Sequence, residues 1–280
     1  MGLVRSSAIV GMQRISPWRI ANAVTIVLVY GLMLLPVIFV VWLSFFNSAF
    51  PSFPPPGYTL HWFARAATRQ SFTSGFVTSM EVAIVAAAIG VTAGTLASLA
   101  LARHRFPGRD ALNMLLLSPL IVPGIVIGTA LFIFYIDIAG IFRWNPMRHI
   151  IGLVIAHTML TIPWSIRLIS ANLVMQDPKI EEAARNLGAD AWTTFRRVTL
   201  PMMRAGIVAA TLFSFIVSFE NLEVSLMVVA PGTTTFPIAL LQYLEFNIDP
   251  TIAAASTVQI VIIGVLLLIS DRFVKLSRIV

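Results

Sequence analysis

The 280-residue sequence contains no cysteine, which excludes disulfides, thiolate metal sites and cysteine nucleophiles. Charge is scarce as well. Asp, Glu, Lys and Arg make up 11% of the chain, where soluble domains carry roughly 25%. Its four histidines are His61, His104, His149 and His157, and none stands at a metal-ligand spacing from another. No Ser/His/Asp set and no paired carboxylates at catalytic spacing are found. A glycine-rich phosphate loop ending in Gly-Lys-Ser/Thr is also missing, so the chain does not cradle ATP in that manner. The expectation is a non-catalytic chain with no catalytic residue, no metal and no cofactor of its own.

Apolar residues are abundant, at 58% of the sequence. They gather into six stretches: Ala21–Ser44, Val77–Leu101, Ala111–Ile136, Ile150–Ile169, Ala205–Val229 and Ile252–Ile269. About 20 apolar residues cross a bilayer core, so each stretch is long enough to span. The predicted fold class is therefore an all-α integral membrane protein, a single transmembrane domain over residues 1–280. The first stretch is too long for the core of a signal peptide and lacks an obvious cleavage site, so it reads as retained. Pro36, Pro119, Pro123 and Pro163 fall inside the stretches. Within a packed membrane bundle they are tolerated as kinks. The Pro119–Gly124 segment reads either as a flexible break lining a pathway or as a simple kink.

Of the 19 Lys and Arg residues, all but Arg65, Arg69, Arg143 and Arg148 fall on one side of this six-span arrangement. That side receives Arg5, Arg14 and Arg19 before the first span, and Arg103, Arg105 and Arg109 after the second. Further charges flank the loop between spans four and five, and Arg272, Lys275 and Arg278 close the chain. Basic loops mark the cytoplasmic face. Both termini are predicted inside, and the net charge of +7 is a topology signal rather than a nucleic-acid footprint.

The loop over residues 177–201 carries unusually ordered signals. Asp177 can cap a helix and Pro178 suits its first position. Glu181 and Glu182 then lie near the positive helix start. Ala183, Ala184 and Leu187 supply small and apolar surface, and Gly188 fits a left-handed helix end. Asp190 can cap a second short helix bearing Trp192, Phe195 and Val198, after which Pro201 restarts the chain. The expected product is a rigid helix–turn–helix knob facing a partner protein.

The run Glu182-Ala183-Ala184, then Gly188, Val198, Leu200 and Pro201 resembles the EAA loop of permeases of binding-protein-dependent ABC importers. Val198 stands where isoleucine is commoner. Ser218–Asn221, Pro231–Pro237 and Ile248–Ala254 are similar to the spermidine/putrescine branch, and Pro55–Phe63 to its second permease. That branch usually has Asp-Asp or Asp-Glu where this chain has Glu220-Asn221. The resemblance implies a type I ABC importer permease in a bacterial inner membrane. Its implied coupling residues are Glu181, Glu182, Ala183, Ala184, Gly188, Leu200 and Pro201. Its implied partners are a pair of ATPase subunits, which bind ATP and Mg, a second related permease and a periplasmic substrate-binding protein. A channel or secondary carrier working without ATP is the alternative of a different class; it would not need the knob.

Six acids fall on or near the outer half: Glu81, Asp137, Glu220, Glu223, Glu245 and Asp249. Glu220 and Glu223 are three residues apart, which on one helix places them on a common face. Counted from Ala205, Glu220 is roughly 22 Å along that helix. Carboxylates at such depth face a cavity or a partner. With Asn221 and Asp137 they read either as a lining that attracts a cationic or zwitterionic solute such as a polyamine, or as interhelical bonds. His157 and Arg167 read as structural, Arg167 snorkelling to the inner surface.

Overall fold

The computed structural model describes residues 17–50 and 52–274. Arg5, Arg14, Lys275 and Arg278 of the topology argument lie outside them. Twelve α-helical segments follow in order among the described residues. They are α1 (Pro17–Leu43), α2 (His61–Thr68), α3 (Gln70–Arg103), α4 (Arg109–Leu117), α5 (Gly124–Phe142), α6 (Ile150–Val174), α7 (Lys179–Asn186), α8 (Ala191–Thr194), α9 (Leu200–Phe219), α10 (Glu223–Val228), α11 (Phe236–Phe246) and α12 (Thr251–Val274). Six stretches are long and apolar enough to cross a membrane: Ala21–Leu43, Gln70–Arg103, Gly124–Phe142, Ile150–Val174, Ala191–Phe219 and Thr251–Ser270.

The centre of the bundle is the packing of α3, α6 and α9 on one another. In lipid there is no hydrophobic drive between helices, so association depends on close backbone approach and polar contacts. The α3–α6 seam has both. A Cβ added at Gly94 would lie 2.5 Å from the Ser165 Cβ, and one at Gly90 would collide with Thr161. Thr161 Oγ1 donates to Ala86 O at 3.0 Å and Ser98 Oγ to Ile166 O at 3.3 Å. Ser165 and Ser214 extend the network to α9 at 3.0 Å. Towards the end where α3 starts and α9 stops, Phe72, Phe219, Phe236 and Tyr243 pack as an aromatic cluster. By contrast α1 is exposed from Ala21 to Phe39 and packs chiefly against α12.

Two of the expected spans are placed differently. Instead of running through Ala111–Ile136, α4 stops at Leu117, a 3-10 turn covers Ser118–Leu120, and the span begins at Gly124. Pro123 is extended (φ −55°, ψ 137°). Two prolines four residues apart remove backbone donors that a continuous helix would need, and apolar content alone does not register that break. The fifth span, expected over Ala205–Val229, runs from Ala191 to Phe219 as one rod. Pro201 does not restart the chain. A π turn over Phe195–Thr199 lets Leu200 N–H bond to Phe195 O, and the helix continues past the proline. The rod ends at Phe219, and α10 starts separately at Glu223.

Candidate functional site

Two regions bring the singled-out residues together, one at each end of the α6–α9 core. At the end that carries residues 177–201, Asp177 Oδ1 accepts from Lys179 N at 2.9 Å and Asp190 Oδ1 from Thr193 N at 3.0 Å. The Thr193 hydrogen bonds hold the Asp190 carboxyl below the usual carboxylate range. Between these caps Gly188 takes φ +90°, a conformation that costs glycine little. The outcome is a tight α7–turn–α8 knob. Glu182 and Ala183 lie on its surface, beside Leu187 at 89% exposed, Trp192 and Ile180. Leu187 therefore presents its side chain outward. Ala184 is half-buried, and Leu200 and Pro201 lie at the root of α9.

Glu181 points the other way. It is 6% exposed, and a single oxygen, Oε1, accepts from Arg103 Nη2 at 2.8 Å and from Thr199 Oγ1 at 3.1 Å. It belongs to the attachment of the knob rather than to its outer face. Arg109 has a local task too, its Nε donating to Leu101 O at 2.7 Å in the last turn of α3.

At the opposite end, a cavity of about 490 Å³ opens where two helices are interrupted. Pro119, Gly124, Trp164, Glu220, Asn221 and Glu223 line it. Glu220 terminates α9 and Glu223 opens α10. They do not share one helix face, since the chain leaves the helix between them, yet the cavity collects both. Asn221 makes the break: its Oδ1 accepts from Val224 N at 3.0 Å, capping α10. Glu220 is exposed and meets Gln259 Nε2 only at 3.5 Å. Glu223 is exposed and its carboxylate lies over Gly124, where a Cβ would collide with it. That carboxylate faces the start of α5, whose unbonded N–H groups favour negative charge. Asp137 is not part of this site. It lies on α5 about 20 Å beyond Gly124, exposed and outside the cavity lining.

The remaining acids singled out in the sequence divide. Asp249 accepts from Tyr243 Oη at 2.8 Å and pairs with Arg65 at 3.3 Å. Burial alone would raise its carboxyl, but hydrogen bonds from Thr251 and Tyr243, with the Arg65 charge, hold it below the usual range. Glu81 and Glu245 are exposed. Among the described residues no three His, Asp or Glu side chains gather as metal ligands.

His157, 2% exposed, lies outside the cavity lining but bonds to both helices that meet at the α9–α10 break. Nδ1 lies 2.8 Å from Ser218 Oγ and Nε2 2.9 Å from Ser225 Oγ. Ser225 Oγ donates its own hydrogen to Asn221 O at 2.7 Å, so it accepts from Nε2–H. Nδ1 then accepts from Ser218 in the neutral ring. The ring thus joins the end of α9 to α10 across the break. Neither this bridge nor the Arg103–Glu181 pair has a signal in the linear sequence, because the partners are 61, 68 and 78 residues apart.

The family model for the binding-protein-dependent transport system inner membrane component matches residues 90–278. The chain is 28% identical over 251 residues to the putrescine transport system permease protein PotI of Escherichia coli (strain K12), covering 89% of this chain and 88% of PotI. It is 26% identical over 248 residues to the spermidine/putrescine transport system permease protein PotC of Haemophilus influenzae, covering 88% and 93%. Among solved structures, a chain of the bacterial alginate ABC transporter in complex with its alginate pentasaccharide-bound periplasmic protein superposes with a TM-score of 0.69 at 16% identity. The match covers 92% of this chain and 96% of that one, and it speaks for the fold alone.

Proposed function

The chain belongs to the binding-protein-dependent transport system inner membrane component family, and from that premise we propose that it lines the import path of a small cationic or zwitterionic solute, received at the cavity between Glu220 and Glu223. As a permease component of an ABC importer it is a non-catalytic multi-pass membrane protein, and ATP is hydrolysed by a partner subunit. The observation that carries the solute class is the pair of exposed carboxylates gathered at two helix breaks. Acids at membrane depth are costly unless a cation or a wet cavity compensates them, and among the described residues neither has a cation within salt-bridge distance. The polyamine names of PotI and PotC accord with this reading.

The α7–turn–α8 knob is the surface on which the ATPase closes, with Glu182, Ala183, Ala184 and Gly188 at the contact, and Leu200 and Pro201 leading the motion into α9. ATP and Mg sit on that partner. A second, related permease completes the path and a periplasmic binding protein delivers the solute. Both termini face the cytoplasm, and reporter fusions after Gly57 and after Ala189 therefore give opposite sidedness. Reconstituted with its ATPase and second permease, Glu220→Gln lowers putrescine uptake about tenfold while basal ATP hydrolysis persists. Uptake at the parental rate would return Glu220 to a structural role. Glu182→Ala and Gly188→Asp insert normally but stop uptake; normal transport by both would remove the coupling assignment.

A further inference from the structure

Arg103 occupies the last turn of α3, where the sequence reads it only as one more cytoplasmic charge. We infer that Arg103 is a positioning residue for energy coupling: through Glu181 it welds the α7–α8 knob to the inner end of α3, so that displacement of the knob reaches α3 as well as α9. This rests on the reading of the knob as the ATPase contact. Three elements converge on Glu181 Oε1, with α3 supplying Arg103 Nη2 at 2.8 Å, the π turn Thr199 Oγ1 at 3.1 Å, and α7 the acceptor. The side chains are 19% and 8% exposed, so water and salt screen the pair little. The end of α3 is itself secured, because Arg109 Nε bonds back to Leu101 O.

Among the described residues, Glu181 makes the side-chain hydrogen bonds that join α7 to the membrane helices. Without them α7 is connected to the bundle chiefly through its flanking turns. Beyond Arg103, α3 runs 34 residues along the core. Its Gly90 and Gly94 interlock with Thr161 and Ser165. A close-packed seam of this kind transmits displacement rather than absorbing it. The pair thus gives the knob a second output beside its covalent continuation into α9.

The lack of cysteine in the chain allows single labels to read each output. In the assembled transporter, a fluorophore is placed at Gln70→Cys on the outer end of α3, or at Thr211→Cys on α9, both exposed positions. The signal is the change produced by ATP and vanadate. In the parent both labels respond. In the double variant Arg103→Ala/Glu181→Ala, which leaves no unpaired buried charge, the response at 211 persists and that at 70 falls at least threefold. Arg103→Lys restores most of the response at 70. An undiminished response at 70 in the double variant would overturn the inference, and so would equal loss at both labels, which would mean that the pair serves folding alone. The premise is tested separately with Leu187→Asp on the knob surface. If both labels still respond in that variant, the knob is not the ATPase contact.

Discussion

Glu181 and Glu220 stand at opposite ends of the same core and meet opposite surroundings. Glu181 is 6% exposed and has two donors on one oxygen. Glu220 is exposed and touches one amide at the limit of hydrogen-bonding distance. A carboxylate whose lone pairs are filled away from water acts as a fastening, because losing a partner strands a buried charge. A carboxylate that opens onto a cavity keeps its lone pairs for whatever enters. In a chain this poor in charge, the satisfaction of each acid separates fastening from reception better than its depth does.

The contrast is most directly broken by Arg103→Ala. With Glu181 left buried and unpaired, the purified transporter should lose about 3–5 kcal/mol, read as a fall in thermal unfolding midpoint in nanodiscs. A loss below about 1 kcal/mol would mean that the pair behaves as an exposed one. Next in size is His157→Ala, which removes Ser218's partner and one of Ser225's two and should cost about 1–3 kcal/mol. Because the ring spans the α9–α10 break, it should also weaken solute capture, whereas a merely structural histidine would leave capture unchanged in the surviving fraction.

Gly124→Ala probes the other wall of the cavity. The new Cβ displaces the Glu223 carboxylate, and since that side chain is exposed it can swing aside for about 1 kcal/mol, at the low end of overpacking costs. Uptake should change more than stability does. Glu220→Gln should leave stability within about 0.5 kcal/mol while uptake of a cation drops, a split that Arg103→Ala cannot produce. Asp249 makes the mildest case. Its lowered folded pKa gives stability that is present above the ordinary carboxylate value and lost as pH falls through the folded value. Asp249→Asn should therefore flatten the acid limb of the unfolding midpoint.

How much of this was legible in the sequence depends on how local the cause is. Hydropathy placed α1, α3, α6 and α12 because each is one uninterrupted apolar run. Asp177, Gly188 and Asp190 were readable because a cap bonds to a backbone group two or three residues away. The third span was misplaced because Pro119 and Pro123 interrupt a run that stays apolar throughout. The fifth was misplaced at both ends. A π turn carries helix through polar residues, and Asn221 stops it among apolar ones. The i, i+3 relation of Glu220 and Glu223 failed with that break, although the cavity reunites them. Arg103 with Glu181, and His157 with its two serines, could not be read at all, since no local period links residues so far apart along the chain.

The uninterrupted rod from Ala191 to Phe219 has a mechanical meaning of its own. Its 29 residues amount to about 44 Å at 1.5 Å per residue, with the knob at one tip and the cavity at the other. A stiff beam pivoting near its middle moves its tips simultaneously and in opposite directions, and a tilt of about 10° carries each some 4 Å, given that half-length. Pro201, expected to restart the chain before the span, sits instead inside the beam, so whatever swings the knob's tip reaches the floor of the cavity without a joint between.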